Sequence, residues 1–263
     1  MIYRYIIYEK RDQTGWLFLN RSKEMNALCK AMLNEIADVL DSAEKDDDIR
    51  ALVLTGKGKA FCAGADLKEA LAEIGSKKES AAPDFMETAS ITINRLRRLS
   101  KPLIGALNGI TLAGGLEIAM CCDILIAAES AKIGDGHSNF GLFPGGGSAS
   151  ILPRRIGLNR AKYLLLTGEV VPASEMLAYG LVNRVVPDTQ LEQTVEALAQ
   201  KLADKSPLGL KLMKQMALQA IELPEEAALD LEHLKLKSYM MSYDIGEGLR
   251  AFQEKRKPEF KGF

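Results

Sequence analysis

Two short segments of small residues stand out as places where backbone chemistry can happen. The first reads Phe61-Cys62-Ala63-Gly64-Ala65-Asp66, and the second Thr111-Leu112-Ala113-Gly114-Gly115-Leu116-Glu117. Each comes after a short apolar run that reads as a buried strand, residues 51–55 and 103–107. Each also opens a helical pattern. Small side chains let a ligand come close to the main chain. A helix start offers unpaired N–H groups and the positive end of a dipole. Two such donors meeting at one oxygen make an oxyanion hole, where a single donor lowers a barrier by about 3–4 kcal/mol. Tight turns in an α/β protein have a similar composition, so one loop alone says little. The pair favours the chemical reading.

Glu117 follows Gly114 by three positions, which on a helix puts both near one face. Its neighbours Leu116, Ile118, Ala119 and Met120 are apolar. A carboxylate there is desolvated and its pKa rises, as acid–base catalysis requires. The plain alternative is a buried structural glutamate paired with a backbone donor. Gly145-Gly146-Gly147 precedes a helix start at Ser148. Such a loop can bind phosphate, but no Gly-x-x-x-x-Gly-Lys-Ser/Thr pattern accompanies it, so a nucleotide-triphosphate site is not expected. Trp16 and His233 read as structural.

The elements that would position these residues follow from patterning. Residues 2–8 and 15–19 read as strands. Asn26 can cap a helix running to about Ala43. Residues 56–64 read as a loop, Asp66 as a helix start, and residues 75–83 as a mobile stretch. Residues 87–99 are amphipathic, 124–127 read as a strand, and helices fill most of the chain after Ser148. Strands sit early and helices late, which predicts an α/β core over residues 1–200 and a helical region over 201–263.

Composition narrows the function classes. The net charge is −1, far from the basic excess of a polyanion binder, so nucleic acid is not an expected partner. The long apolar stretch 104–128 contains Asn108, Glu117 and Asp123, which argue against a membrane span. The N-terminus lacks the apolar stretch of a signal peptide. Cys29, Cys62, Cys121 and Cys122 form no C-x-x-C pair, so they read as reduced, buried thiols of a cytoplasmic protein without a metal site.

Ala60-Phe61-Cys62-Ala63-Gly64-Ala65-Asp66-Leu67 and Asn108-Gly109-Ile110-Thr111-Leu112-Ala113-Gly114-Gly115-Leu116-Glu117 resemble the two signatures of the enoyl-CoA hydratase/isomerase, or crotonase, family. Met25-Asn26-Ala27-Leu28, Leu166-Thr167-Gly168, Gly180-Leu181-Val182 and the segment from Phe252 to Pro258 fit in family order, so the likeness spans nearly the whole chain. The resemblance implies a ClpP/crotonase-like spiral of ββα units with a helical C-terminal trimerisation region. It implies an acyl-CoA thioester as substrate, a homotrimer or dimer of trimers, and no cofactor, since coenzyme A enters as part of the substrate. Ala65 and Gly114 match the positions whose amides hold the thioester oxygen. The stretch Ala63, Gly64, Ala65, Asp66 and Leu67 resembles the adenine-binding turn. Lys23, Met25 and Lys68 resemble positions lining the CoA groove. Phe252 and Lys255 resemble residues that reach a neighbouring subunit's CoA. Plain surface charge is the alternative for the three lysines. Residues 76–84 are expected to border the acyl tunnel, and Gly145-Gly146-Gly147 to pack beside it.

Glu117 matches one of the family's two catalytic carboxylates. The family's other glutamate lies four residues before the first glycine of a Gly-x-x-Pro-Gly motif. Here that motif is Gly141-Leu142-Phe143-Pro144-Gly145, and the matching position is His137. Three readings follow. His137 donates the α-carbon proton in a hydratase, as an imidazole with a reference pKa of about 6.5 can do. Alternatively, Glu117 shuttles protons alone, in an isomerase or slow hydratase. Or His137 activates water in a hydrolase. A loop histidine bonded to the backbone is the plain alternative. Asp135 reads as a turn residue. Syn hydration of a trans-2-enoyl thioester leads these readings, with a non-enzymatic RNA-binding relative as the remote one.

Overall fold

The computed structural model describes residues 2–76 and 83–263. Strands β1 (Ile6–Arg11) and β2 (Thr14–Leu19) form an antiparallel hairpin, turned by Asp12 at φ 49°. Helix α1 (Lys30–Lys45) leads into β3 (Ala51–Gly56) and β4 (Ala60–Cys62), and α2 (Leu67–Ser76) and α3 (Phe85–Arg98) follow. Next come β5 (Leu103–Leu107), β6 (Ile110–Leu112), α4 (Gly114–Ala119), β7 (Ile124–Ala128) and β8 (Lys132–Gly134). The rest runs α5 (Ser148–Ile156), α6 (Leu158–Thr167), β9 (Val170–Pro172), α7 (Ala173–Tyr179), β10 (Arg184–Val186) and α8 (Leu191–Ala203). Helices α9 (Pro207–Ala220), α10 (Glu225–Tyr239) and α11 (Tyr243–Glu254) close the chain.

The chain alternates between two sheets. β3, β5 and β7 enter a six-stranded sheet of order β1-β2-β3-β5-β7-β10, and β4, β6 and β8 enter a four-stranded sheet of order β4-β6-β8-β9. A strand in the first sheet, a short strand in the second and then a helix make one unit, and successive units wind as the expected ββα spiral. The large sheet is covered on both faces, which is why its strands read as continuous apolar runs. Val53, Ile104 and Ile126 pack with Leu191, Val195 and Ala199 of α8. Their neighbours Leu52, Leu54, Leu103 and Leu107 face the opposite way, into the larger core with Met32, Leu33 and Ile36 of α1.

Three sequence expectations fail locally. The first strand, expected over residues 2–8, runs Ile6–Arg11. Residues 56–64 are not wholly a loop, because residues 60–62 form β4. Three residues are too few to show a period; pairing with β6 creates the strand. Asn26 does not cap α1, whose N-cap is Cys29. Asn26 is fully buried at φ 57°, and its side chain accepts from Arg21 N at 2.9 Å and donates to Lys57 O and Ala60 O at 3.0 and 2.7 Å. From the other side Asn108 accepts from Gly56 N at 3.0 Å and donates to Gly58 O at 3.1 Å. Two asparagines thus clamp the corner between β3 and β4, from which the first small-residue loop emerges. The expected mobile stretch 75–83 lies mostly outside the described residues.

The last three helices are tied to the core at a few points. Lys214 pairs with Asp123 at 2.7 Å, and Arg50 donates to Phe260 O at 3.2 Å. Asp244 is fully buried and accepts from the amides of Lys261 and Gly262 at 2.7 and 3.1 Å, folding the tail back on α11. By contrast α10 buries none of its residues, and Leu229, Leu234 and Leu236 stay exposed. No helix among the described residues is long and apolar enough to cross a membrane.

Candidate active site

The first loop is held open-side out by a parallel bridge between Leu28 and Ala65. Leu28 N donates to Gly64 O at 2.8 Å, and Asp66 N donates to Leu28 O at 2.8 Å. In a parallel pairing the middle residue turns its own N–H away from the bridged strand. The Ala65 amide therefore faces away from Leu28, on the side where α4 begins. The second loop reaches it from β6. A Cβ built on Gly114 would lie 3.5 Å from Ala65 N, and one built on Gly64 would lie 3.5 Å from Gly114 N. The two amides are side by side, and neither donates to an acceptor among the described residues.

Close packing makes this neighbourhood possible. A side chain at Gly115 would meet Cys62 O at 2.0 Å, so α4 can start against β4 only with glycine there. Ala113, at φ 49° and ψ −120°, holds a conformation that costs a non-glycine residue about 1–3 kcal/mol. That twist sets the plane of the peptide bearing the Gly114 N–H.

One turn along α4, Glu117 is 4% exposed. Its Oε1 accepts from Gly146 N at 2.6 Å and from Ser148 N at 3.1 Å, where the glycine loop enters α5. Oε2 accepts no hydrogen bond from a described residue. Burial raises the Glu117 pKa above the ordinary carboxylate value, and this outweighs the Ser148 amide, the charge of His137 and the Gly146 amide. The glycine loop was expected only to pack. It also supplies the donor that pins this carboxylate. A Cβ on Gly146 would come within 2.5 Å of Glu117 Oε2. Arg97 of α3 donates to Gly146 O from behind.

His137 opens a short 3-10 turn between Gly136 and Gly141, both in left-handed conformation. Its Nδ1 lies 3.0 Å from Asp135 Oδ2, and its backbone N donates to Asp135 Oδ1 at 3.2 Å. Asp135 is only 1% exposed. Burial pushes its carboxyl up, but hydrogen bonding to His137, with help from the nearby Ser148 hydroxyl, holds it below its ordinary value. Ser148 Oγ is itself buried without a completed hydrogen bond among the described residues. For His137, burial disfavours the charged ring, yet the bond to Asp135 and the charges of Asp135 and Glu117 raise its pKa overall. The turn reading of Asp135 captured only one of its two oxygens. Its spacing of two residues before His137 was the available signal.

Most other expected positions gather around the first loop. Met25, at φ 51°, offers its carbonyl to Ala63 N at 3.0 Å, which ties the Lys23–Met25 turn to Ala63 and Gly64. Lys23, Leu67 and Lys68 are exposed beside it. Asp66 pairs with Arg21 at 2.9 Å and accepts from Lys68 N at 3.2 Å, so its carboxylate is already engaged. Phe252, at 84% exposed, and Lys255 sit at the end of α11. That helix's side-chain bonds run to its own tail and to Ser206. Gathering these two with the others is not seen within one chain.

A spiral of ββα units carrying two adjacent free amides, one turn from a buried carboxylate, defines the crotonase fold. The chain belongs to the enoyl-CoA hydratase/isomerase family, whose model matches residues 12–262. It is 37% identical to a crotonyl-CoA hydratase of Syntrophomonas wolfei over 261 residues, covering 99% of each chain. It is 36% identical to a short-chain-enoyl-CoA hydratase of Clostridium acetobutylicum, covering 97% of this chain and 96% of that one. The solved structure of an enoyl-CoA hydratase from Bacillus anthracis superposes with a TM-score of 0.92 at 36% identity, over 99% of this chain and all of that one.

Proposed function

We propose that this protein is an enoyl-CoA hydratase that adds water across the double bond of a trans-2-enoyl thioester. The observation that carries the reading is Glu117: Oε1 is pinned by two amides, and Oε2 and two N–H groups one helical turn away have no partner among the described residues. Water bound at Oε2 gives its proton to Glu117 as its oxygen bonds to the β-carbon. The π electrons move onto the thioester oxygen, held between Ala65 N and Gly114 N. The enolate then collapses and the α-carbon takes a proton from His137 Nε2. Proton transfer from Glu117 to His137 resets the site. Raised pKa values suit both roles, since Glu117 must be a competent base and His137 a charged acid near neutral pH.

The substrate's CoA moiety is assigned to the exposed rim of Lys23, Met25, Ala63, Gly64, Asp66, Leu67 and Lys68, with no further cofactor in this reading. Unburied leucines on α10 and an apolar groove of about 440 Å³ beside Met213, Met216 and Tyr239 support a homotrimer or a dimer of trimers. In such an assembly Phe252 and Lys255 reach a neighbour's CoA. Four buried free thiols support a cytoplasmic location.

Crotonyl-CoA is the first probe. Hydration should bleach its enoyl-thioester absorbance, and Glu117→Gln should lower kcat by about a hundredfold or more. Thiol release without hydration would mean a hydrolase. Conversion of 3-enoyl thioesters alone would mean an isomerase.

A further inference from the structure

We propose that Asp135 is a positioning residue for His137, fixing its ring so that Nδ1 is protonated and Nε2 is the nitrogen presented to substrate. The inference rests on the hydratase reading and deepens it. Three observations converge on it. Both oxygens of one carboxylate are taken by the same residue, Oδ2 by the ring at 3.0 Å and Oδ1 by the backbone amide at 3.2 Å. That two-point grip sets the ring's rotation as well as its tautomer. Next, Asp135 is almost fully buried while the His137 side chain keeps 13% of its surface, so the anchor lies deeper than the ring it holds. Finally, Ser148 joins the two acid–base groups: its amide holds Glu117, and its hydroxyl stands beside Asp135. The two catalytic side chains are therefore registered to one another through the start of α5.

The consequence for chemistry is a choice of role. A neutral, freely rotating imidazole is a base, which suits water activation. An imidazole held against a buried carboxylate keeps its proton to higher pH, so more of it is charged and carries a proton to deliver near neutral pH. The groups that face the ring are Asp135 from its own turn and Glu117 from α4, and both favour the charged form. In the hydratase reading Asp135 thus holds His137 oriented and charged for delivering the α-carbon proton, in place of the family's second glutamate.

An asparagine tests this, because its amide has one acceptor oxygen and His137 presents two donors. Whichever way the amide turns, either the backbone N–H or Nδ1–H loses its partner. With crotonyl-CoA as probe, Asp135→Asn should lower kcat by about a hundredfold while KM changes less than threefold. The chain has two histidines, so ¹⁵N-imidazole NMR with His233→Gln for assignment isolates His137. The folded protein should show a single Nδ1–H tautomer at alkaline pH, and Asp135→Asn should lose it. Unchanged kcat with an unchanged tautomer overturns the proposal. If Asp135→Asn does not fold, an Nε2–H tautomer in the unsubstituted protein overturns it equally. His137→Ala separates the two levels: retained hydration there removes the hydratase role of His137 itself. Lost hydration with an inert Asp135→Asn removes only the positioning role.

Discussion

Arg97 donates to the carbonyl of Gly146, the residue whose amide holds Glu117 Oε1. A single peptide-linked residue thus passes the restraint from α3 to the carboxylate. The guanidinium also fills the space beside Gly147, where a Cβ would lie 2.2 Å from Nη2. Replacing Arg97 by Met keeps most of the packing stem and removes the donor, leaving the Gly146 carbonyl unpaired. A hydrogen bond to a charged group contributes about 1.5–3 kcal/mol. Arg97→Met should lose about that much stability in urea unfolding and reduce kcat about tenfold, with affinity for CoA retained. Full kcat in a folded Arg97→Met protein would show that the loop holds Glu117 unaided.

The pH profile of kcat/KM should be bell-shaped. In the proposed reaction Glu117 acts deprotonated, so activity should fall as pH drops through its pKa, which burial places above 4.5. In the same proposal His137 acts protonated, so activity should fall as pH rises through its pKa, which the Asp135 contact places above 6.5. His137→Ala should lower the rate and abolish the alkaline limb, while the acid limb stays. An alkaline limb that survives His137→Ala belongs to another group.

The C-terminal tail should set the first acid transition. Arg256 donates to both oxygens of Glu247, and the Glu259 amide adds a third bond at 2.9 Å. Arg256 first, then that amide, pull the Glu247 pKa from 4.5 down to about 2. A depressed folded-state pKa stabilises the fold fully above 4.5, and the contribution is lost as pH falls toward about 2. Limited proteolysis across that window should cut the tail beyond residue 255 first. Glu247→Gln should be less stable at neutral pH and show a flatter loss of stability on acidification. Equal pH dependence in the two proteins would remove Glu247 from the transition.

Much of this architecture was legible because it is local. The runs 51–55 and 103–107 are continuous and apolar, so they read as doubly buried strands, and helices fill most of the chain after Ser148, as expected. Small-residue loops before Asp66 and Glu117 announced two backbone donors, and the apolar neighbours of Glu117 announced a raised pKa. What only the tertiary structure decided is which atoms meet. β4, β6 and β8 are three residues each, too short for periodicity, and exist as strands because they pair with one another. Asn26 looked like a helix cap, but its amide satisfies carbonyls more than thirty residues away. Gly146 holding Glu117 joins positions separated by 29 residues. The hydrogen bond of Asp135 to His137 is close in sequence, yet the almost complete burial of Asp135 is not readable from its polar neighbours. Patterning encodes a residue's preference for water or core. Hydrogen-bond partners and pKa shifts depend on distances between segments, and only the packed chain sets those.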